Sequence, residues 1–424
     1  MLTAFVGSFV LLLAAGIPIA FGLGGSAMVY VLLQEDLSLT MLTQTTFAGM
    51  AAFPLLAIPL FILAGNFMNE GGLTHDLVKF ARLLMGHVAG GLGLATILAS
   101  AIFSAISGSA VATAVAIGMV MIPAMKDAGY DEDVGAGVTA VAACMGPIIP
   151  PSIPFILYGV IANVSIGALF LGGVVPGLML GAGLMVYMSY VARKRRYPLE
   201  KKASMQELWT GTWKALPALF MPVVIMGGIL GGAFTPTEAA GVVAAYALLV
   251  GGVFYRKIKL RRIPDILLNS SVESAMVMLL LGLSEPFAWV IAAEQLPQMI
   301  VEVIGQISAS PTVVLLLINL LLILVGIPLE TAPAITIVTP VIAPMAAQLG
   351  IDPVHLGIVV CFNLVLGLVT PPVGGVLFSV CSVSGLNIER LCKGIWIPFF
   401  IGLAVLALIT YIPALTTFLP KAMM

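Results

Sequence analysis

The sequence predicts an all-α membrane protein that crosses the bilayer many times, and three observations support this fold class. Of its 424 residues, 61% are hydrophobic and only 9% are charged, whereas soluble domains carry about 25% charged residues. Apolar stretches of roughly the 20 residues needed to span a bilayer follow one another almost without pause. The chain also contains 27 Pro and 45 Gly. Many of them fall inside these stretches and predict broken helices rather than a plain bundle.

The composition also excludes several classes of function. A net charge of −1 argues against a nucleic-acid partner, because such binding needs a concentrated basic face. The four Cys lie in or beside apolar segments without a C-x-x-C pair, so we interpret them as packing residues. The sequence contains no zinc-protease, hydrolase or nucleotide-binding motif. We therefore expect that the chain is not an enzyme and that the energy for its work comes from an ion gradient or from another chain.

The first 33 residues are uncharged and lack the basic start of a secretory signal, so we interpret them as a retained membrane segment. Gly16 and Pro18 divide this segment into two short crossings, but a single long tilted helix fits the sequence equally well. Without charges, the side of the amino terminus stays open.

Two basic clusters, at 193–202 and 256–262, predict cytoplasmic loops because short cytoplasmic loops collect Lys and Arg. The spans between them, 214–232 and 238–255, then form one hairpin with its outer turn at 233–237. Glu238 follows this turn and is expected to cap the next helix.

Two longer apolar stretches, 90–125 and 311–348, are each flanked on both sides by charged residues of the same kind. Basic residues flank the first stretch and acidic residues flank the second. The flanking residues are Lys79, Arg82 and Lys126 for the first and Glu294, Glu302 and Asp352 for the second. Each stretch therefore returns to its starting side, which predicts re-entrant hairpins that enter from opposite faces.

An internal repeat supports this arrangement. A gapless shift of 221 residues superposes residues that determine backbone conformation. The matched pairs are Pro123 and Pro344, Gly129 and Gly350, Asp131 and Asp352, Gly146 and Gly367, Pro150 and Pro371, Pro151 and Pro372, and Gly173 and Gly394. Because charge bias places the copies in opposite orientations, we predict an inverted-topology repeat with its site near the midplane. Amphipathic segments at 73–86 and 295–306 are predicted to lie along the interface.

The sequence Ser107-Gly108-Ser109 lies midway through the first stretch, where we expect the hairpin tip. Free carbonyls and amides at such a tip can bind a cation and an anion, and Ser adds hydroxyl ligands. A close helix contact is the alternative interpretation of this Ser/Gly cluster. The second tip is expected at 326–333, where Glu330 lies at membrane depth and is either functional or simply hydrated.

Two tandem-Pro segments, 146–154 and 369–375, are predicted to interrupt the helices that follow the tips. Paired Pro residues leave carbonyls without partners in the middle of a span, which is costly in lipid unless they line a site. A single Pro would be explained by a kink, but two double breaks at matching repeat positions favour ion sites. We predict one sodium site where each tip meets its break, with a substrate carboxylate between the tips. Glu285-Pro286 interrupts another apolar run and is either structural or faces a partner.

The chain resembles the large membrane subunit of tripartite ATP-independent periplasmic (TRAP) transporters over essentially its whole length. The segments that carry this resemblance are FPLLAIPLFILAG (53–65), FSAISGSAVATAVAIG (103–118), IPAM (122–125), GAGVTA (135–140), IPPSIP (149–154) and FTPTEAA (234–240). The resemblance implies a sodium-driven importer of organic acids that works with a small membrane subunit and a periplasmic binding protein. Because no four-span block precedes Met1, we expect the small subunit as a separate chain.

The resemblance also implies an elevator-type fold in the bacterial inner membrane, and we divide the chain accordingly. Scaffold helices are expected at 1–72 and 203–293, interfacial arm helices at 73–87 and 294–308, hairpins with broken helices of the transport domain at 88–166 and 309–387, and closing helices at 167–202 and 388–424. The implied sodium ligands are Ser107, Gly108, Ser109, Gly146, Pro147, Pro150, Gly326, Thr331, Thr370, Pro372 and Gly375. The expected substrate-binding residues are Ser109, Thr113, Ser152, Glu330 and Gly374.

The substrate class stays broad, because such transporters carry C4-dicarboxylates, sialic acid and other sugar acids. The segment 145–150 favours a sialic or sugar acid. The alternative function is a passive channel or exporter for small organic anions.

Overall fold

The computed structural model describes residues 1–34, 36–296, 298–299, 310–327, 329–371 and 374–424. Within these residues the regular elements are helices, and no strand is present. The first ten helices are α1 (Leu2–Ala14), α2 (Ile19–Leu33), α3 (Leu39–Met50), α4 (Ala57–Glu70), α5 (Leu73–Met85), α6 (Gly91–Ser107), α7 (Ala110–Asp127), α8 (Glu132–Ala143), α9 (Ile153–Ile161) and α10 (Ile166–Arg195).

The second part of the chain continues this pattern. Its helices are α11 (Met205–Leu230), α12 (Pro236–Leu249), α13 (Ile263–Ala293), α14 (Pro311–Gly326), α15 (Thr331–Gln348), α16 (Pro353–Gly367), α17 (Gly375–Ser384), α18 (Ile388–Tyr411) and α19 (Ala414–Met423). A π-helical turn, Val250–Phe254, extends α12. In the described ranges, 8 helical segments are long and apolar enough to cross a membrane. The prediction of an all-α chain with many spans is confirmed.

The amino-terminal segment consists of two helices rather than one. The helices α1 and α2 are separated at residues 15–18, where Gly16 has a left-handed φ of +77° and Pro18 precedes the first turn of α2. Gly adopts this conformation at little cost, and Pro in a helix interior removes a hydrogen bond and breaks the helix. The structure therefore contains two helices here rather than one continuous helix, and their crossing of the bilayer stays a prediction.

Glu238 caps α12, as expected from its position after the turn. Its carboxylate accepts a hydrogen bond from the Thr235 backbone N–H at 2.8 Å, and its own N–H donates to Thr235 Oγ1 at 3.3 Å. This reciprocal capping box satisfies two N–H groups that the helix itself leaves free.

The 221-residue repeat extends to the helix boundaries. The shift takes the bounds of α7 (110–127) onto those of α15 (331–348) without any difference. It also brings α6, α8, α9 and α10 within a few residues of α14, α16, α17 and α18. Gly129 and Gly350, which the shift superposes, follow the ends of α7 and α15 and both have a left-handed φ, of +83° and +71°. The repeat therefore extends to the local backbone conformation.

The two halves interlock around a pseudo-twofold relation. The helix α8 packs on α18 while α16 packs on α10, and α7 packs on α17 while α15 packs on α9. At the centre, Cys144 Sγ lies 3.7 Å from the carbonyl oxygen of Val365, the residue that the 221-residue shift places on Cys144. Matched positions contact each other only at a twofold axis. The axis therefore passes between the ends of α8 and α16.

Ion pairs gather at one end of the molecule, where α7 ends and α8 begins. Asp131 accepts hydrogen bonds from Tyr197 Oη at 2.5 Å and from the Arg195 guanidinium. These two donors lower the pKa of the Asp131 carboxyl below its usual range. Glu132 pairs with Lys126 at 2.7 Å and with Arg390 at 3.4 Å. The basic residues at this end agree with the cytoplasmic side predicted from loop charge.

The first amphipathic segment is the helix α5, which buries one face that includes Leu73, Leu77 and Ala81. Most of the second predicted arm helix, 295–306, lies outside the described residues. Its helical structure stays a prediction.

A methyl group at Gly394 is expected to destabilise the fold, because α18 approaches α8 too closely to admit one. A Cβ atom at Gly394 would lie 1.9 Å from the Asp133 carbonyl oxygen. We expect Gly394→Ala to lower the free energy of unfolding by about 2 kcal/mol, the usual cost of overpacking a core. Thermal unfolding of the detergent-solubilised protein measures this change.

The matched control is Gly227→Ala in α11, where an added Cβ has no atom within 4 Å. Because Ala has the higher helix propensity, this variant is expected to be neutral or slightly stabilising. Equal destabilisation by both substitutions would contradict the proposed close contact.

Candidate functional site

The first hairpin turns at Ser107-Gly108-Ser109, where the sequence places its tip. Gly108 ends α6 with a left-handed φ of +61°, and its N–H donates to the Ser104 carbonyl at 3.2 Å. Ser109 then caps α7 by accepting a hydrogen bond from the Ala112 N–H at 3.3 Å. One glycine and one N-cap side chain thus reverse the chain between two helices.

The hydroxyl groups of this tip bond mainly to main-chain groups, with one contact between two hydroxyls. Thr113 Oγ1 donates to the Ser109 carbonyl at 2.7 Å and lies 3.1 Å from Ser107 Oγ. Both Thr113 and Ser107 are buried. Their side chains hold the turn together and face the interior of the tip.

The first tip packs directly against the first break. The chain leaves α8 after Ala143 and begins α9 at Ile153, and Ser152 caps α9 by accepting from the Phe155 N–H at 3.2 Å. The Ser152 hydroxyl donates in turn to the Pro147 carbonyl. A Cβ at Gly146 would lie 2.7 Å from the Ser109 carbonyl oxygen, and one at Gly108 would lie 2.9 Å from that of Pro151. Glycine at both positions therefore permits main-chain contact between the tip and the break.

The second half repeats this junction with different side chains. The break between α16 and α17 begins after Gly367, and a Cβ at Gly367 would lie 2.6 Å from the Gly326 carbonyl oxygen at the end of α14. A Cβ at Gly375 would lie 3.7 Å from Glu330 Oε1. Thr370 Oγ1 donates to the Leu366 carbonyl at 2.9 Å. Pro372, an expected sodium ligand, lies outside the described residues.

Both tips and both breaks contribute to one cavity of about 130 Å³. Five of the residues that the sequence predicts for the site line this cavity: Gly108, Ser109, Pro147, Glu330 and Thr331. The other predicted residues that the structure describes lie outside the lining: Ser107, Thr113, Gly146, Pro150, Ser152, Gly326, Thr370, Gly374 and Gly375. Several of these shape the junctions behind the cavity wall.

Sequence reasoning missed seven apolar wall residues: Ala110, Val111, Ile153, Pro154, Leu157, Ala332 and Leu368. Leu157 lies in the second turn of α9 and Leu368 just after α16, whereas the other five lie in the first turns of α7, α9 and α15. The available signal was their position directly after the capping residues Ser109, Ser152 and Glu330. None of these residues has a polar side chain, so residue type alone does not mark them as part of the site.

The cavity is suited to an anion, because three helices begin at its wall. Each amino terminus of α7, α9 and α15 carries free N–H groups and about half a positive charge. Helix amino termini bind carboxylate and phosphate groups for this reason. Thr331 is only 7% exposed, and its Oγ1 has no hydrogen-bond partner among the described residues. A buried hydroxyl without a partner is costly and provides a free ligand in the wall.

The oxygen atoms at the two junctions also suit a hard cation. The main-chain carbonyls of Ser109, Pro151 and Gly326 lie at the contacts between the tips and the breaks, and the Glu330 carboxylate borders the same cavity. Hard cations prefer carbonyl, hydroxyl and carboxylate oxygens. The oxygen ligands at the junctions therefore fit sodium, and the helix amino termini fit an organic anion.

A helical membrane fold with an anion-suited cavity between two hairpin turns is typical of a membrane permease. The chain belongs to the family of the DctM component of tripartite ATP-independent periplasmic transporters, whose family model matches residues 6–415. The predicted resemblance is thereby confirmed. The chain is a multi-span transport permease of the bacterial inner membrane and not an enzyme.

Individual relatives support this assignment. The chain is 41% identical over 413 residues to the sialic acid TRAP transporter large permease protein SiaM of Vibrio cholerae, covering 97% of this chain and 96% of that protein. It is 37% identical over 430 residues to the C4-dicarboxylate TRAP transporter large permease protein DctM of Rhodobacter capsulatus, covering 98% of each.

A solved structure supports the fold alone. The crystal structure of the Alcanivorax borkumensis YdaH transporter, which has an unusual topology, matches with a TM-score of 0.66 at 17% identity. The match covers 90% of this chain and 89% of the YdaH chain.

A cysteine at position 109 is expected to react with a small water-soluble thiol reagent, because Ser109 lines the cavity. A cysteine at the fully buried Ser104 is expected to stay unreacted. The measurement compares labelling rates of Ser109→Cys and Ser104→Cys in a background in which Cys381 and Cys392, the two partly exposed native cysteines, are replaced by Ala. Similar rates at both positions would show that the tip is not open to the cavity.

Proposed function

We propose that this chain is the substrate-translocating subunit of a sodium-driven importer of organic acids. The observation that carries the proposal is the cavity shared by the two hairpin tips. Three helix amino termini lie in its wall, together with Thr331, whose hydroxyl has no partner among the described residues. A carboxylate there would receive N–H donors from α7, α9 and α15. Two relatives are named for sialic acid and C4-dicarboxylates, which supports a carboxylate as the substrate class.

Sodium is the coupling ion in this proposal. At the first junction the proposed ligands are oxygens of Ser107, Ser109 and the break at 146–152. At the second junction they are oxygens of Gly326, Thr331 and the break at 370–375. A cation at either position would offset the partial negative charge of the carbonyls and make the neighbouring cavity more favourable for an anion.

Uptake is proposed to follow an elevator mechanism. The segments 88–166 and 309–387 would move together as the transport domain, and 1–72 and 203–293 would form the scaffold. The contacts of α7 with α17 and of α15 with α9 support this division, because they join the two hairpin-bearing segments through their breaks. Re-entrant insertion from opposite faces would give each half one route to the shared cavity.

Two further components complete the proposed transporter. The family name describes a tripartite periplasmic system, and we propose a small membrane subunit and a periplasmic binding protein as the other two parts. The binding protein would deliver the organic acid to the outer face of this chain.

The mechanism predicts that uptake into proteoliposomes containing all three components requires an inward sodium gradient. Because Thr331→Ala removes a hydroxyl ligand, it is expected to lower uptake at limiting sodium by about tenfold, which corresponds to losing roughly one hydrogen-bond-sized interaction. Thr331→Ser keeps the hydroxyl and is expected to retain most of the uptake. The measurement is the initial rate of radiolabelled organic-acid uptake as a function of sodium concentration.

Two outcomes would overturn the proposal. Uptake that is unaffected by sodium would remove the coupling mechanism. Equilibration of the solute without accumulation against its gradient would identify a passive channel or exporter instead.

A further inference from the structure

A second cavity, of about 530 Å³, lies at the end of the molecule that carries the basic loops. It opens between α5, α7, the amino-terminal end of α11 and the loop that follows α10. Its lining includes the basic residues Lys79, Arg82, Lys201 and Lys202. The transport proposal uses none of them.

The acidic residues in this wall already have partners. Glu200 pairs with Arg82 at 2.5 Å, and its backbone N–H donates to the Gly86 carbonyl at 3.1 Å. Glu207 accepts a hydrogen bond from the Ser204 N–H at 2.8 Å in the capping box of α11. These contacts fasten the loop to α5 and to α11, and they hold Lys201 and Lys202 at the cavity.

The three lysines in the lining, by contrast, are exposed and are not paired with a carboxylate of the described residues. Lys79, Lys201 and Lys202 are exposed, and none of them forms an ion pair with a residue that the structure describes. The lining has four basic and two acidic side chains, so its formal charge is +2 with His75 neutral. Its electrostatic complement is a monovalent or divalent anion.

The same cavity has an apolar wall, which favours a lipid over a soluble anion as the ligand. Val78, Leu83 and Val120 lie beside the lysines in the lining. A free phosphate ion gains nothing from such a surface, whereas a phospholipid places its phosphate against the lysines and its glycerol and acyl groups against the apolar residues.

The residues around the cavity are of the types found at the depth of lipid headgroups. Trp209 and Trp213 stack on each other at a centroid distance of 6.3 Å, and they are 70% and 66% exposed on the first turns of α11. Exposed Trp residues at a helix end are typical of the membrane interface. The neighbouring α5 is amphipathic, with a buried apolar face and with His75, Lys79 and Arg82 on its other side, as expected for a helix lying along that interface.

From these features we infer that the cavity between α5, α7 and α11 is a specific site for an anionic phospholipid of the cytoplasmic leaflet, with Lys79, Lys201 and Lys202 binding its phosphate. The lipid would contact the interfacial helix α5, the scaffold helix α11 and, through Val120, the first hairpin. This inference rests on the membrane location of the chain and stands independently of sodium coupling.

The test uses the full-length protein and native mass spectrometry after incubation with an equimolar mixture of isotopically distinguished phosphatidylglycerol and phosphatidylcholine. The native chain is expected to retain one phosphatidylglycerol in clear preference to phosphatidylcholine. Because a basic residue near an anionic lipid contributes about fivefold in binding, Lys79→Gln/Lys201→Gln/Lys202→Gln is expected to reduce this preference by at least that factor.

The matched control is Lys259→Gln/Arg261→Gln/Arg262→Gln, which removes the same charge from the other basic loop, outside this cavity. It is expected to keep the preference for phosphatidylglycerol. An equal loss in both triple variants would overturn the inference in favour of general surface charge. Displacement of the lipid by glycerol 3-phosphate at equal concentration would overturn it in favour of a soluble phosphate site, and retention of both lipids in equal amounts would exclude a headgroup-specific site.

Discussion

The structure depends on one constraint, which is that backbone polar groups buried in a bilayer need partners within the protein. The chain leaves its helical course after α8 and α16, and in the first break Pro150 and Pro151 leave carbonyls without helical partners. The hairpin tips pack against these breaks, with Gly108 and Gly146 allowing main-chain atoms to meet in the first half. The interruptions are therefore tolerated where the tips pack against them, and the same junctions border the cavity.

The repeat explains how one cavity receives contributions from both halves. Cys144 and Val365 meet at the pseudo-twofold axis, and residues of both tips line one cavity. Close glycine contacts, such as that of Gly394 with the Asp133 carbonyl, bring α18 onto α8 across the halves. The cavity is lined by residues that the shift superposes, such as Ser109 and Glu330, so both halves contribute to it in the same way.

Local sequence signals predicted the elements of this architecture well. Prolines and glycines marked the ends of α7, α8, α15 and α16, and the basic loops marked one face of the molecule, because both depend on the chemistry of a few neighbouring residues. The side-chain roles were harder to predict. Thr113 and Ser152 are predicted to bind substrate, and the structure shows that their hydroxyls donate to nearby main-chain carbonyls. Ala110, Val111 and Leu157 line the cavity without any polar signal.

The sequence by itself determined that this chain is a helical membrane protein with an internal repeat and two interrupted helices, since hydropathy, charge bias and proline act over short stretches of chain. Only the tertiary structure decided which hydroxyls turn inward, that Thr331 has no hydrogen-bond partner within the described part of the chain, and that Lys79 meets Lys201 and Lys202 around one cavity. These outcomes depend on residues far apart in sequence that compete for the same hydrogen bonds and the same space.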